Sequence, residues 1–158
     1  MLLMLALLQV TLMPHLTVAH VQPDLVASAV FCWALFGGAT EGAVLGFVGG
    51  LSLDVLSGAP FGTHTFVLAV AGTIAGLGAA LVPREHAILL PGVVVVCTLV
   101  QQAAYVWLLR ATGWPLSLSE VLIPVIAPLA VLNLLLTALL YPLAGLLHRR
   151  TMPEGPGW

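Results

Sequence analysis

Three residues able to carry acid–base or nucleophilic chemistry stand close together near the middle of the chain: Asp54, Ser57 and His64. A serine, a histidine and an aspartate are the groups of a hydrolase triad. Here all three belong to a single turn of the chain, and no element that could build an oxyanion hole accompanies them. The pattern therefore does not favour a hydrolase, and an intramembrane enzyme is the least favoured functional hypothesis.

Asp54 lies well inside an apolar run, two residues before that run ends. An ionised aspartate at the centre of a membrane costs about 2.5–3.5 kcal/mol on insertion scales, so it needs partners. Ser57, Thr63 or His64 could donate hydrogen bonds to it across the following turn. Asp54 could relay protons or bind a partner, or it could fix the turn, in which case asparagine should replace it well. The sequence leaves both interpretations open.

The histidines do not show the spacing of metal ligands, either among themselves or with the two cysteines. We expect His64 to be a hydrogen-bonded structural residue, and we predict no metal and no cofactor. The chain also lacks a nucleophile elbow, a zinc-protease motif and a phosphate-binding loop. These observations predict a protein that is not an enzyme.

The composition defines the environment in which these residues act. Of the 158 residues, 61% are hydrophobic and only 6% are charged, whereas a soluble domain carries about 25% charged residues. Such a chain cannot cover a soluble surface, and it is not a basic nucleic-acid binder. We therefore predict an all-α polytopic membrane protein, with one helical domain over residues 1–150 and a short cytoplasmic tail over residues 151–158.

Six apolar stretches, separated by polar or turn residues, are long enough for full or partial crossings of the membrane. They cover residues 2–18, 24–36, 41–56, 63–82, 86–109 and 120–147. A turn is predicted at residues 37–40. The last stretch is over-long for a straight crossing, and Pro124, Pro128 and Pro142 predict that it is kinked or split.

Glycines at a spacing of four predict close helix packing on two neighbouring stretches. Gly42, Gly46 and Gly50 line one face of the third stretch, and Gly72 and Gly76 line the fourth. Small residues let two helix backbones approach, which is a main source of helix association in lipid. The two stripes most simply pack against each other or a neighbour inside the bundle. The alternative is a groove that faces lipid and receives the helix of a partner.

The arginines predict the orientation of the chain. With six crossings, Arg84 and the Arg149–Arg150 pair share one side of the membrane, and Arg110 lies opposite. The positive-inside rule then places both termini in the cytoplasm.

Amide side chains lie inside the fifth and sixth stretches. Gln101, Gln102 and Asn133 must find partners there, because buried polar groups are normally hydrogen-bonded. We favour a role in linking helices, with the lining of a pocket as the alternative.

Residues 46–62, GFVGGLSLDVLSGAPFG, resemble the hallmark of the bacterial rod shape-determining protein family MreD. That family shows a glycine-rich helix, an aspartate near its end, a Ser-Gly-x-Pro-hydrophobic-Gly turn and a further apolar helix. Asp54, Ser57, Pro60 and Gly62 occupy the corresponding positions.

A second element of the resemblance lies upstream. The dipeptide Pro23-Asp24 looks like the element that opens the second span in that family. Length and hydropathy profile fit across essentially the whole chain, although the last two spans match by profile alone.

The resemblance implies a role in the cell-wall elongation machinery of the bacterial inner membrane. The partners it implies are MreC, a single-span protein with a large periplasmic part, and the wider complex of MreB, RodA and a class B penicillin-binding transpeptidase. It also implies a fold similar to the S component of energy-coupling-factor vitamin transporters. We also expect contact with membrane lipid, and the resemblance is compatible with a homo-oligomer. No catalytic residue is implied.

Two functional hypotheses from different classes remain. The first is a non-enzymatic scaffold and regulator of peptidoglycan elongation. The second is a small-molecule binding component of the S type, which would require an enclosed and partly polar pocket near the outer face.

Overall fold

The computed structural model describes residues 2–12, 23–58, 60–82, 90–111, 113 and 118–151. These residues form five helices: α1 (Leu2–Leu12), α2 (Leu25–Leu56), α3 (Thr63–Leu81), α4 (Leu90–Ala111) and α5 (Leu118–Thr151). By length and composition, α2, α3, α4 and the 128–148 part of α5 could each cross a membrane, and α1 is a shorter apolar helix. The chain is thus a multi-pass membrane protein, and the count of six crossings stays a prediction.

Helix α2 consists of two arms that pack side by side. Gly38 has φ 80° and ψ −170°, which interrupts the helix and favours glycine. The side chain of Val26 lies against Gly49, and that of Ala34 lies against Gly42. In one straight helix residues 26 and 49 would be about 35 Å apart. The chain therefore reverses at Gly38, which confirms the turn predicted at residues 37–40.

The first arm of α2, residues 25–37, is the centre of the bundle. Val26, Val30, Phe31 and Ala34 are completely buried. Helices α1, α3 and α5 all contact α2, and α4 packs between α3 and α5. An arm enclosed in this way needs no polar face, which explains why it is short and almost wholly apolar.

The second arm of α2, residues 39–56, carries small residues inside and bulky ones outside. The buried face holds glycines, whereas the large apolar side chains on the other side are exposed: Val44, Phe47, Val48, Leu51 and Val55. This is the inverse of a soluble amphipathic helix, and it is the pattern expected where lipid covers the outer face.

Helix α5 runs without a break through all three of its prolines. The predicted split at Pro124, Pro128 or Pro142 is therefore wrong, whereas the alternative of a kink stays a prediction. In lipid no water is available for unpaired backbone groups, so a chain keeps its helix and tolerates proline more readily than in water. The 34 residues of α5 extend over about 51 Å, more than the about 30 Å of a hydrocarbon core.

Candidate functional site

Asp54 is the most heavily hydrogen-bonded side chain in the described part of the chain. Its Oδ1 accepts from the backbone N–H of His64 at 2.9 Å and from His64 Nδ1 at 3.0 Å. Its Oδ2 accepts from the backbone N–H groups of Gly62 and Thr65, both at 3.0 Å, and from Thr65 Oγ1 at 2.5 Å. Every contact is a donor, which suits an ionised carboxylate. The residue is only 4% exposed.

These bonds make Asp54 the cap of helix α3, supplied from the end of α2. The first residue before α3 is Gly62, in the left-handed conformation at φ 94°, and it has no side chain to cap the helix. Pro60 O accepts from both the backbone N–H and the hydroxyl of Thr63. Asp54 accepts hydrogen bonds from the next two N–H groups, those of His64 and Thr65, and Gly62 O accepts from that of Phe66. The four N–H groups that a helix start leaves unpaired are therefore all satisfied. The negative charge also lies at the favourable end of the α3 dipole.

The structure corrects two expectations for this turn. Among the donors predicted for Asp54, only His64 is found, because Ser57 Oγ lies 3.4 Å from His64 Nδ1 and Thr63 Oγ1 turns back to Pro60 O. This geometry also reverses the expectation for Asp54→Asn, which we now predict to be a poor replacement. Both carboxylate oxygens face donors, so the NH₂ group of an asparagine would point at N–H groups.

Ser57, His64 and Asp54 do not form a catalytic triad. Ser57 Oγ and Asp54 Oδ1 both contact the same ring nitrogen, Nδ1 of His64. A triad needs the serine on one nitrogen and the aspartate on the other, so that the ring can pass a proton between them. The His64 ring packs against the ring of Tyr105, with 5.1 Å between the ring centroids.

The two glycine stripes face each other and form a seam between the second arm of α2 and α3. A Cβ atom at Gly42 would overlap the backbone carbonyl of Gly72. One at Gly46 would overlap the Leu68 carbonyl, and one at Gly50 would overlap the backbone of His64 and Thr65.

The seam continues to the bend of α2. A Cβ atom at Gly76 would overlap the backbone at Gly38 and Ala39. The expectation of a lipid-facing groove for a partner helix is therefore wrong for these glycines, because α3 already fills it.

A second polar cluster surrounds Asp24, at the start of α2. Asp24 Oδ1 caps the helix by accepting from Ala27 N at 2.9 Å. Gln101 Nε2 donates to its Oδ2 at 2.8 Å, and the backbone N–H of Asp24 donates to Asn133 Oδ1 at 3.1 Å. The cluster thus joins α2 to α4 and α5, as the linking role favoured for Gln101 and Asn133 predicted.

Gln9 is a member of this cluster that the sequence did not single out. Its Oε1 accepts from Val26 N at 2.9 Å and ties α1 to the start of α2. It is the one amide in an otherwise apolar helix α1, and that contrast is the signal that could have found it.

A cavity of about 270 Å³ lies between the two clusters. Pro23, Asp24 and Gln101 border it on one side, and His64 and Tyr105 border it on another. Gln101 is 6% exposed and its Oε1 has no hydrogen-bond partner among the described residues. The cavity is therefore partly polar. In the described residues no three side chains of His, Cys, Asp or Glu come together as metal ligands.

Long apolar helices and a seam of helix-packing glycines define a polytopic helical membrane protein. The chain matches the family described as rod shape-determining protein MreD over residues 1–151. It therefore belongs to that family and acts in the determination of cell shape. No curated protein and no solved structure matches the chain significantly.

Proposed function

We propose that this chain is a non-enzymatic scaffold and regulator of peptidoglycan elongation in the bacterial inner membrane, and that it works with MreC. The observation that carries the proposal is the family match over residues 1–151. The wider partners in the proposal are MreB, RodA and a class B penicillin-binding transpeptidase. Both termini face the cytoplasm.

The packing supports a role as a rigid platform. The α2–α3 seam brings backbone against backbone at Gly42, Gly46 and Gly50, and such interfaces cannot slide without separating the helices. A partner helix must then dock on the bulky outer faces, such as the exposed face of residues 44–55, and not on the glycines.

The geometry at His64 supports the non-enzymatic part of the proposal. Its Nδ1 is shared by Asp54 and Ser57, so the serine has no separate base to activate it.

Complementation in the native bacterium tests the scaffold function. Deletion of the chain should convert rods to rounded cells, and the wild-type chain should restore rods and co-purify with MreC. Gly46→Ala should do neither, whereas Gly92→Ala, where a Cβ meets nothing within 4 Å, should do both. Wild-type cells that stay rod-shaped after the deletion would contradict the proposal.

Reporter fusions test the orientation. Fusions at the C-terminus and within residues 110–116 should report opposite sides of the membrane, with the C-terminus in the cytoplasm. Two reports from the same side would overturn the arrangement of six crossings.

One observation favours the alternative, a small-molecule binding component of the S type. The cavity beside Asp24 and His64 is lined by residues of several helices and is partly polar. This function predicts a small molecule that stays bound through purification and is released on denaturation. Mass spectrometry of the purified protein would detect it, and an empty protein that still restores rod shape would reject the alternative.

A further inference from the structure

The cavity between the Asp24 cluster and His64 is lined by two oxygens with spare acceptor capacity, one on Asp24 and one on Gln101. Asp24 Oδ2 accepts one bond, from Gln101 Nε2, and a carboxylate oxygen can accept a second. Gln101 is more than nine-tenths buried and its Oε1 has no partner among the described residues. The bond to Asp24 fixes this arrangement, since a flipped amide would turn Oε1 against the carboxylate.

His64 adds a third acceptor. Its Nδ1 carries the hydrogen, because it faces the carboxylate of Asp54, which can only accept. In the neutral ring this leaves Nε2 as an acceptor. The ring borders the cavity together with Tyr105, and the two rings lie 5.1 Å apart.

The described lining supplies no permanent cation to match these acceptors. The chain has four arginines and no lysine, and none of the described residues that border the cavity is an arginine. Asp24 therefore contributes a negative charge, and a second one, Asp54, lies directly behind His64. Buried or half-buried charges in proteins are normally paired.

Val67, Leu68 and Leu129 form the apolar part of the wall, and Gln9, Gln102 and Pro23 complete the described lining. The volume of about 270 Å³ lies just below the range of about 300–1,000 Å³ typical of small-molecule pockets. The space suits a group of side-chain size on a short alkyl stem. The aromatic face of Tyr105 can add a cation–π contact.

We infer that this cavity binds an alkylammonium or alkylguanidinium group, held by Asp24, the free Oε1 of Gln101 and the His64–Tyr105 pair. The group can belong to a free amine or guanidine, or to a lysine or arginine side chain of another polypeptide. The inference goes beyond the scaffold function and does not depend on it, because binding to the purified chain is measured without any readout of cell shape.

Calorimetric titration of the purified full chain in detergent micelles tests the site. The probes are butylguanidinium and its neutral analogue butylurea, which have closely similar size and shape. Saturable binding of butylguanidinium is expected, with butylurea at least about tenfold weaker, since hydrogen bonds to a charged group are the stronger ones.

Asp24→Asn should weaken butylguanidinium binding at least about tenfold. Asparagine keeps an oxygen for Ala27 N, so the helix cap survives. Gln101→Leu is the second variant, because it leaves the Asp24 cap in place, and it should also weaken binding.

Glu41→Gln is the matched control. It too removes one negative charge from α2, but Glu41 pairs with Trp33 at the bend of the helix, away from the cavity. Its affinity should equal that of the wild type. Equal binding of butylurea, unchanged affinity in Asp24→Asn, or no saturable binding in the millimolar range would each overturn the inference and leave a cavity filled by water.

A second experiment identifies the source of the group, while the titration alone decides whether the site exists. A photo-crosslinking residue replaces Gln102, at the rim of the cavity, in native membranes. A linked peptide that contains lysine or arginine, and that butylguanidinium displaces, assigns the group to another polypeptide. A small amine or guanidine released from the denatured protein assigns it to a free solute.

Discussion

The two aspartates of the chain sit in contrasting halves of the molecule. All donors to Asp54 come from residues 62–65, just across one turn. The partners of Asp24 come from α4 and α5, at separations of 77 and 109 residues. Asp54 thus joins the second arm of α2 to α3, a helical pair over residues 39–81 that we call the hairpin, whereas Asp24 joins helices that are distant in the sequence.

The halves also differ in how well their polar groups are matched. Buried side-chain atoms without a hydrogen-bond partner include Ser28 Oγ, Gln101 Oε1, Asn133 Nδ2 and Thr137 Oγ1. These atoms lie in the first arm of α2, in α4 and in α5, and none lies in the described hairpin of residues 39–81. The described residues 39–81 therefore have their buried polar side-chain atoms matched, whereas the rest of the described bundle holds polar groups that a ligand, water or partner can still satisfy.

Asp54→Ala should give the largest loss, because it removes the acceptor for five donors at once. We expect the free energy of unfolding to fall by at least about 3 kcal/mol, since each unmatched buried group costs about 1–3 kcal/mol. Asp54→Asn keeps one oxygen and should lose about 1–3 kcal/mol. Unfolding in mixed micelles by titration with SDS measures both. A wild-type value for Asp54→Asn would show that the carboxylate charge and its second oxygen are not needed.

Gly46→Ala should give the second-largest loss in the free energy of unfolding, because its methyl group meets the backbone of α3, which cannot move aside. Overpacking of this kind costs about 1–3 kcal/mol. Gly92→Ala is the control in open space on α4, and it should gain up to about 1 kcal/mol from the helix propensity of alanine. Losses of equal size in the two variants would break the contrast between a packed seam and a free helix surface.

The packing of residues 39–81 could be predicted from the sequence for a physical reason. Glycines at a spacing of four on two stretches joined by a short turn have few other ways to pack. Asp54 lies so close to the turn that its donors had to come from it. The particular donors could not be foreseen, because they are mostly backbone N–H groups that become available only once α3 starts at Thr63.

The distant half could be predicted only in part. An amide in an apolar span predicts that it has a hydrogen-bond partner. From the sequence, however, Gln101, Gln102 and Asn133 were equally suited to bond with Asp24. The choice is made by the packing of α4 and α5 around the first arm of α2, which no local pattern encodes. The continuity of α5 through its prolines was missed for a related reason. In water a helix can break at proline because water binds the unpaired backbone groups, whereas lipid offers no such partner.

Gln101→Leu sharpens the comparison with a smaller effect. The variant loses the bond to Asp24 but also removes the unmatched Oε1, so the two changes partly offset each other. We expect a loss of about 1 kcal/mol in the free energy of unfolding. Gln102→Leu, at a half-buried neighbouring position, should stay within about 0.5 kcal/mol of the wild type. A larger loss for Gln102→Leu would mean that the helices are linked through the other amide.

Ser28→Ala tests the unpaired polar groups of the first arm of α2. It should have the smallest effect on the free energy of unfolding, and that effect should be a gain. The hydroxyl of Ser28 is completely buried and has no hydrogen-bond partner among the described residues, so its removal relieves a cost, and alanine is the better helix former. We expect a gain of about 0.5–1 kcal/mol in the free energy of unfolding. Ser52→Ala is the matched control in the other arm. Its hydroxyl donates to Val48 O at 2.9 Å, so the lost bond offsets the gain and the change should stay under about 0.5 kcal/mol. If Ser28→Ala instead destabilises the protein, its hydroxyl has a partner in solution, and the first arm of α2 is as well matched as the hairpin.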